Sequence, residues 1–343
     1  MKSLVIKLFG TKRHKNEFKF SDVNSILLKP IGDAVGDAII HTSHLRQIKE
    51  VNPHIKIGVL VTNRNKLIYQ NAGFIEAIME DHFLTYIQER KKWDLYLDFM
   101  PSFTTKSIIF DWLLSPKFII NFGKRSKKHY HLNNVKNYDF SVNVPQYTHI
   151  KNYLNYSILK NNIKSSVDYT VPFNTEHSEK VEKFWNNQKS IRILLNPQGS
   201  KSEIPPQELK TLLESIPSSY LEKVDFLVTN TNSAQNYIER LNLNVTLSPK
   251  TNILEYFAFV NSADIVISVD GGGIHVACAC AKPLLAFYAN NPQLTNMWAP
   301  VVKKDTDSLT LVGKNLSDNA SDTYDFDITL ASTWLNTQIQ KRI

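Results

Sequence analysis

The sequence predicts an α/β fold in two halves, each a doubly wound parallel sheet with helices on both faces. Apolar strand-like runs, short loops and helical patterns alternate along most of the 343 residues, which is typical of parallel sheets. The length suits roughly two domains. Two strands lead through glycine- and aspartate-containing loops straight into helices. Two such sheets facing each other across a cleft would bind ligands at the carboxyl ends of their strands.

The first half contains four apolar runs that predict strands: SILLKP (25–30), IKIGVLV (55–61), WDLYLDF (93–99) and KFIINFG (117–123). Between the first two, Ile39, Ile40, Leu45 and Ile48 recur at helical spacing, and Pro53 closes the pattern. A polar segment rich in Asn, Lys and Tyr follows, with one helix-like stretch, HIKNYLNYSILK. We therefore expect a first domain over 1–172.

The second half repeats this alternation. The predicted strands are IRILLNP (191–197), VDFLVTN (224–230), DIVISVD (264–270) and PLLAFYA (283–289). PQELKTLLESI, ILEYFAFVNSA and IHVACACA predict helices between and after them. We expect a second domain over 173–325 and a terminal helix within 326–343, around LASTWLNTQIQ.

The formal charge of +8 favours an acidic partner, which could be a phosphorylated small molecule, an anionic membrane surface or nucleic acid. A basic surface that only aids solubility explains the same charge. Cys278 and Cys280 lie two residues apart, which fits neither a redox pair nor a zinc site and favours buried small side chains.

The N-terminus begins like a signal peptide, but its apolar core is short and interrupted by Lys7. No run of 18 apolar residues occurs, so we expect a protein of the cytosol or of a membrane surface. A basic series interleaved with phenylalanines could contact anionic lipid, or could be a solvated arm; its members are Lys2, Lys7, Lys12, Arg13, Lys15 and Lys19.

The loop in SVDGGGIHVACACAKP (268–283) joins a β-branched strand to a helix. Backbone N–H groups and the helix dipole at such a position bind anions, and glycines let a phosphate approach the main chain. We expect Gly271, Gly272 and Gly273 to form a phosphate loop, with His275 donating to a phosphate oxygen and Asp270 accepting loop N–H groups. A merely flexible connection is the alternative.

The loop in KPIGDAVGDAIIHTS offers two carboxylates, Asp33 and Asp37, each preceded by a glycine. A carboxylate at a cleft mouth with no basic neighbour in sequence is a candidate general base. Aspartate is also a preferred helix cap, and capping is the favoured interpretation for Asp33.

These loops resemble glycosyltransferase family 9, the heptosyltransferases of lipopolysaccharide core assembly. The early loop closes on Gly36-Asp37 with Pro53 seventeen residues after the glycine, as in the family. The family's late motif is matched by Asp270, Gly272, His275 and Pro283. YLDFMPSFTTKS matches a third family segment at Asp98, Lys106 and Ser107. The resemblance extends from about Ser25 to the end of the chain.

The resemblance implies a GT-B architecture whose terminal helix crosses back to the first domain. It implies inverting transfer of heptose from ADP-heptose to a lipopolysaccharide core, without metal or cofactor, by a peripheral protein at the cytoplasmic face of the inner membrane of a Gram-negative bacterium. Asp37 would be the general base. The implied donor contacts are Asp270, Gly271, Gly272, Gly273, His275, Lys201, Gln198, Asn230 and Thr251. The implied acceptor contacts are Gly36, Lys106, Ser107, Lys124 and Arg125, the last two in a basic patch that could equally be a solvated loop. RNA binding would use similar chemistry, but no nucleic-acid partner is expected.

The sequence departs from the family pattern at several points. Ile31-Gly32 are additional residues in the early loop, and Gly271 replaces a threonine whose hydroxyl could hold a phosphate. The family's phosphate-binding lysine has no aligned counterpart, and Lys201 is one position early. Asn230 or Asn232 would replace an acidic donor contact. A different nucleotide-sugar donor, or a non-catalytic nucleotide-sugar or glycan-binding protein with this fold, therefore remain alternatives.

Overall fold

The structure, a computed structural model, describes residues 2–12, 17–163 and 167–343. It divides into two compact units, 1–167 and 168–343, so the division falls slightly before the predicted boundary at 172. Both units are α/β, as predicted.

The first unit contains a six-stranded parallel sheet in the order β3-β2-β1-β4-β5-β6. Its strands are β1 Ser25–Lys29, β2 Lys56–Val61, β3 Ala77–Glu80, β4 Leu95–Asp98, β5 Phe118–Phe122 and β6 Phe140–Val142. Its helices are α1 Lys2–Phe9, α2 Val35–Lys49, α3 Lys66–Gln70, α4 Phe83–Gln88 and α5 Thr105–Leu114, with 3-10 helices at Phe20–Asp22 and Ile150–Tyr156.

The second unit has the same architecture, with strand order β12-β11-β10-β7-β8-β9. Its strands are β7 Ile191–Asn196, β8 Val224–Val228, β9 Thr246–Leu247, β10 Ile265–Val269, β11 Leu284–Asn290 and β12 Ser308–Leu316. Its helices are α6 Thr175–Glu182, α7 Pro206–Glu214, α8 Ser218–Leu221, α9 Ala234–Leu241, α10 Ile253–Ser262, α11 Gly272–Ala279, α12 Pro292–Met297 and α13 Ile328–Gln340.

Both sheets follow the doubly wound order 3-2-1-4-5-6 when their strands are counted from the first in each unit. In this topology the chain leaves in opposite directions from two adjacent central strands, and ligands bind beside the loops that follow those strands. The central pairs are β1 with β4 and β7 with β10, both parallel. The loops after these strands are the ones that the sequence singled out.

The central strands form because their apolar runs can be buried on both faces. Ile26, Leu27 and Leu28 of β1 are fully buried, and so are Ile265, Val266 and Ile267 of β10. Continuous β-branched and leucine-rich runs of this kind are typical of parallel strands covered by helices on both sides. Their rigid ends position the loops of the candidate site.

The terminal helix α13 contributes to the core of the second unit. Its apolar face, with Ala331, Leu335 and Ile339 at helical spacing, is fully buried in the core of the second unit. The helix packs on α7 and β12 of that unit. The apolar face of α13 thus completes the core of the second unit, and packing of this helix on the first domain stays a prediction.

None of the helices in the described ranges is long and apolar enough to cross a membrane. Cys278 and Cys280 are both free thiols; Cys278 is buried and Cys280 is half-buried, close to the prediction of small buried side chains.

Candidate active site

Asp37 lies in the first turn of α2, directly after the loop that follows β1. Its Oδ2 accepts a hydrogen bond from the N–H of Ala34 at 3.3 Å. The same oxygen lies against Gly32, where a Cβ atom would be only 2.1 Å away. Its Oδ1 accepts no hydrogen bond from any residue in the described ranges. One carboxylate oxygen is thus held by the loop and the other is available.

Burial raises the pKa of Asp37 to about 6, while the hydrogen bond from Ala34 opposes the rise. Asp33 raises it further and Arg64 lowers it. A carboxylate with this pKa is ionised at neutral pH and is a stronger base than an ordinary aspartate.

Asp33 was expected to cap the helix, and this expectation is wrong. Its carboxylate accepts from Arg64, with 2.9 Å between Oδ1 and Nη1, and the pair is largely exposed. Asp37 makes the bond to the N-cap residue instead. Capping and a role as a base are compatible for Asp37, because each uses a different oxygen.

The glycine loop joins β10 to α11 in the second unit, and two of its glycines are required for different reasons. Gly271 has a φ of +157°, at the edge of a region that side-chain-bearing residues rarely adopt. Gly273 is close to three polar groups, since a Cβ there would lie 2.9 Å from Asn196 Nδ2, Ser268 Oγ and Tyr256 OH.

The loop after β7 packs tightly on this glycine loop. The Gly199 N–H donates to the carbonyl of Ser202 at 2.8 Å, and Ser202 Oγ donates to the carbonyl of Asp270 at 3.0 Å. A Cβ on Gly199 would lie 2.4 Å from that carbonyl oxygen. The two loops therefore form one rigid wall at the carboxyl ends of β7 and β10.

A cavity of about 140 Å³ opens beside this wall. Six predicted donor residues line it: Gln198, Asn230, Thr251, Gly271, Gly272 and Gly273. Its remaining lining is Asn196, Gly199, Thr229, Thr231, Ser248, Tyr256, Ser268 and Val269, so none of its side chains is Lys, Arg, Asp or Glu. Gln198 is held in place by Thr231, whose Oγ1 donates to its Oε1 at 2.7 Å.

Three predicted donor residues do not line the cavity. His275 is buried, with its ring edge-on to Tyr169 and to Trp298 at centroid distances of 6.0 and 6.3 Å. Lys201 is exposed and lies outside the lining. Asp270 is half-buried, and burial raises its pKa to about 6.

The predicted role of Asp270 also needs correction. Within the described ranges its carboxylate accepts no hydrogen bond from the glycine loop; instead its backbone carbonyl accepts from Ser202. The wall is therefore fixed by the Ser202 hydroxyl on a main-chain carbonyl, a contact that the pattern of acidic and glycine residues could not reveal.

Two predicted acceptor residues have structural roles. Lys124 is buried, and its Nζ pairs with the buried carboxylate of Asp98 and donates to the carbonyl of Met100 at 3.3 Å. Ser107 closes a capping box with Thr104 at the start of α5, where its N–H donates to Thr104 Oγ1 at 2.9 Å. Neither side chain is available to a substrate.

The other three predicted acceptor residues lie in loops or first turns at the carboxyl ends of the first sheet. Gly36 is buried in the first turn of α2. Lys106 is exposed, with its Nζ 3.5 Å from the carbonyl of Asp81 and 5.0 Å from the centroid of the Phe110 ring. Arg125 is exposed in the loop after β5. Lys106 and Arg125 are therefore accessible cations.

The sequence analysis missed Asn196, which lines the cavity from the last position of β7. Its side chain is 5% exposed, and apart from an interaction with the Tyr256 hydroxyl its amide has no hydrogen-bond partner in the described structure. A buried amide with unmet hydrogen-bonding capacity is costly, so its position beside a cavity indicates a ligand contact. A polar residue that ends an apolar strand run is the signal that could have identified it.

A search of the described residues finds no group of three or more His, Cys, Asp or Glu side chains that could hold a metal ion.

Comparison with known proteins agrees with these observations. Residues 227–316, which run from β8 to the end of β12, match the model of glycosyltransferase family 9 (heptosyltransferase). The chain is 24% identical, over 315 aligned residues, to the putative lipopolysaccharide heptosyltransferase 4 of Escherichia coli K12; the match covers 85% of this chain and 83% of that protein.

Two solved structures have the same fold. A family 9 glycosyltransferase from Veillonella parvula superposes with a TM-score of 0.72 at 12% identity, covering 93% of this chain and 97% of that one. The Escherichia coli ADP-heptose lipopolysaccharide heptosyltransferase II gives a TM-score of 0.70 at 13% identity, covering 92% and 99%. The predicted fold of two Rossmann-like domains, the GT-B class, is confirmed.

Proposed function

We propose that this chain is a member of glycosyltransferase family 9 and that it moves heptose from ADP-heptose onto a lipopolysaccharide-core acceptor, with inversion at the anomeric carbon and without a metal ion. The observation that carries this proposal is the glycine-lined cavity at the carboxyl ends of β7, β8 and β10, next to the N-terminus of α11.

The cavity suits a nucleotide diphosphate in which the backbone, rather than a lysine, meets the negative charge. Gly272 and Gly273 begin α11, where N–H groups have no partner within the helix and the dipole is positive. The uncharged hydroxyl and amide groups of the lining suit a ribose and a base, and Asn196 offers both a donor and an acceptor. The likeness to an ADP-heptose enzyme supports this choice of donor.

Asp37 acts as the general base in this proposal. Its free Oδ1 takes the proton of an acceptor hydroxyl as the hydroxyl oxygen forms a bond to the anomeric carbon of the donor. The bond from that carbon to the diphosphate oxygen breaks, and ADP leaves with both electrons. One displacement of this kind inverts the anomeric centre, and the backbone donors of the glycine loop stabilise the departing charge.

Lys106 and Arg125 are proposed to contact the acceptor. Both are exposed at the carboxyl ends of the first sheet, and core oligosaccharide carries phosphates and acidic sugars. Lys106→Ala and Arg125→Ala should each raise the KM for the acceptor and leave the KM for the donor unchanged. An unchanged acceptor KM in both variants would contradict the assignment.

We also propose peripheral contact with the cytoplasmic face of the inner membrane through α1. Leu4 and Leu8 lie one turn apart and are 57% and 53% exposed, while Val5 anchors the helix in the core of the first unit. Lys2 and Lys7 are exposed beside them. Of the predicted basic series, Lys12 is buried against Asp139, and Arg13 and Lys15 lie outside the described residues.

Vesicle flotation tests this contact. Leu8→Glu should abolish binding to phosphatidylglycerol vesicles, whereas Leu330→Glu, at a comparably exposed leucine of α13, should not. Binding that is equal for neutral and anionic vesicles, or unaffected by Leu8→Glu, would contradict the proposal.

The donor proposal is tested by thermal shift with ADP, UDP, GDP and CMP and with their sugars. ADP-heptose should stabilise the protein most, because only a ligand that binds the folded state raises the melting temperature. Asn196→Ala should reduce this stabilisation, and Asn236→Ala, at an exposed position of α9, should not. Preference for another nucleotide would indicate another donor, and no stabilisation by any of them would favour the non-catalytic alternative.

Turnover is tested with ADP-heptose and truncated lipopolysaccharide cores. Asp37→Ala should abolish transfer without weakening ADP binding, while Asp33→Asn, a neighbouring carboxylate in an exposed ion pair, should retain most activity. Addition of EDTA should leave the rate unchanged. Full activity of the Asp37→Ala variant would exclude it as the base.

A further inference from the structure

A chain of hydrogen bonds runs beneath the loop that carries Asp37. The N–H of Ile31 donates to His41 Nε2 at 2.9 Å, and His41 Nδ1 lies 3.1 Å from His44 Nδ1. His44 Nε2 lies 3.0 Å from the carbonyl oxygen of Ile150 and 3.2 Å from that of Lys151. Both imidazoles are fully buried. The loop after β1 is thereby linked to the 3-10 helix at the end of the first unit.

The groups at the two ends fix a single direction of proton donation along this series of hydrogen bonds. An amide N–H can only donate, so His41 Nε2 is an acceptor, and in a neutral ring the proton must then be on Nδ1. That proton is donated to His44 Nδ1, which leaves the second ring with its proton on Nε2. Carbonyl oxygens can only accept, and they are what His44 Nε2 meets.

Both rings are neutral in this arrangement, and their surroundings favour that state. Burial lowers the pKa of His41, and the neighbouring His44 lowers it further. Burial also lowers the pKa of His44 to about 4, although the hydrogen bonds to the carbonyls of Ile150 and Lys151 raise it, and the charges of His149 and Lys151 lower it as well. Both rings are therefore neutral near pH 6, where Asp37 titrates.

The rings are held rigidly. His41 and His44 are three residues apart on α2 and face the same side of the helix. The ring of Phe99 lies edge-on to His41 at 4.5 Å and stacks on His44 at 4.8 Å between centroids. Phe99 stacks in turn on Phe122 at 4.0 Å.

We propose that His41 and His44 are positioning residues, forming a relay that holds the loop Ile31–Ala34 and, through it, the Asp37 carboxylate. The N–H of Ile31 is hydrogen-bonded to His41, and the next residue, Gly32, lies directly against Asp37 Oδ2. The inference rests on the proposed role of Asp37.

The relay predicts a pH effect as well as a rate effect. The charged and titratable groups that affect or face Asp37 are Asp33, Arg64 and Tyr69. If the loop is released, water reaches the carboxylate, and because burial is the main cause of its raised pKa, that pKa falls. In a plot of kcat against pH, the acid limb, where the rate falls as Asp37 becomes protonated, should then move to lower pH.

Two matched amide variants test this. His41→Asn can replace the Nδ1 side of the ring but leaves the Ile31 N–H without an acceptor, whereas His41→Gln can reach the Nε2 side and keep that acceptor. We expect His41→Asn to lower kcat roughly 10- to 100-fold, the cost of a misplaced catalytic group, with the KM for ADP-heptose unchanged and the acid limb displaced. His41→Gln should recover much of the rate and the wild-type acid limb.

The outcomes are distinct. Equal rates for wild type and His41→Asn, measured well below its melting temperature, would overturn the proposal. So would a lower kcat in both variants with an unmoved acid limb, since that is the behaviour of a structural role alone.

An NMR measurement tests the relay without any assay of activity and on the wild-type protein. Two-bond 15N–1H spectra of the histidine rings should show the Nδ1–H tautomer for His41 and the Nε2–H tautomer for His44, both neutral at pH 6. Any other pair of tautomers would overturn the relay while leaving the proposed function intact. If Asp37→Asn retained full turnover, the proposed function would fail instead, whatever the tautomers.

Discussion

Replacing Asp37 with asparagine should make the folded protein more stable at neutral pH while abolishing transfer. The pKa of Asp37 is about 6 in the folded protein instead of the ordinary 3.8, mainly because of burial. Between these values the folded state binds more protons than the unfolded state, so stability falls as the pH rises. Above pH 6 the full cost of holding a charged Asp37 is present. Asparagine removes that cost and can still accept the hydrogen bond from Ala34.

The magnitude follows from the two pKa values. Their difference corresponds to about 3 kcal/mol at most, at roughly 1.4 kcal/mol for each pH unit. Because the carboxylate is only half-buried, solvent screens part of this, and we expect a gain of about 1–2 kcal/mol. A domain of this size gains about 2–4 °C in melting temperature per kcal/mol, so the first unit should melt roughly 2–8 °C higher.

The assay is thermal or urea unfolding of wild type and Asp37→Asn at pH 4 and pH 7.5. The difference in stability should be large at pH 7.5 and nearly absent at pH 4. Asp33→Asn is the control, because loss of its exposed pair with Arg64 should lower stability by only about 0–1 kcal/mol. No gain at pH 7.5 would refute the argument, and an equal gain at both pH values would attribute the effect to packing instead of charge.

Three further substitutions test the site. Gly32→Ala should lower kcat and leave the fold intact, because the new methyl group displaces the end of the Asp37 side chain. Circular dichroism checks the fold and steady-state kinetics check kcat; an unchanged kcat would contradict the prediction. Gly271→Thr, at a φ of +157°, should lower the melting temperature and weaken ADP binding, and tighter binding would show that the hydroxyl matters more than the backbone. Lys124→Ala should lower the free energy of unfolding by about 3–5 kcal/mol in urea, because it leaves the buried Asp98 carboxylate without its partner. Arg125→Ala should leave that free energy almost unchanged, and similar losses in both variants would contradict the assigned ion pair.

The sequence predicted the central strands of both sheets and missed all four edge strands, β3, β6, β9 and β12. Central strands are buried on both faces, so they appear as continuous apolar runs. Edge strands are partly exposed, and β12 alternates only weakly between buried and exposed positions. Their pairing depends on the neighbouring strand more than on their own composition, which is why single-segment patterns did not reveal them.

The candidate site was predictable to the extent that it depends on loop position. Asp37 and the glycine loop follow central strands, and topology alone brings such loops to the ligand-binding edge of each sheet. Side-chain direction was not predictable in this way: Lys124 lies in the loop after β5 and His275 in the first turns of α11, yet both side chains are buried. A lysine in a basic run suggests a surface patch, and only the buried partner, Asp98, shows otherwise.

The wall of the donor cavity explains how a chain without the family's threonine and aligned lysine can still present a rigid phosphate loop. The Ser202 hydroxyl on the Asp270 carbonyl and the backbone bond from Gly199 to Ser202 hold the glycine loop, and the close approach of polar groups to Gly273 fixes the start of α11. Because these contacts depend on one neutral hydroxyl, on backbone atoms and on the absence of Cβ, they hold the loop without requiring a cation. The donor site should therefore depend weakly on the charge of Lys201 and strongly on any side chain added at Gly199.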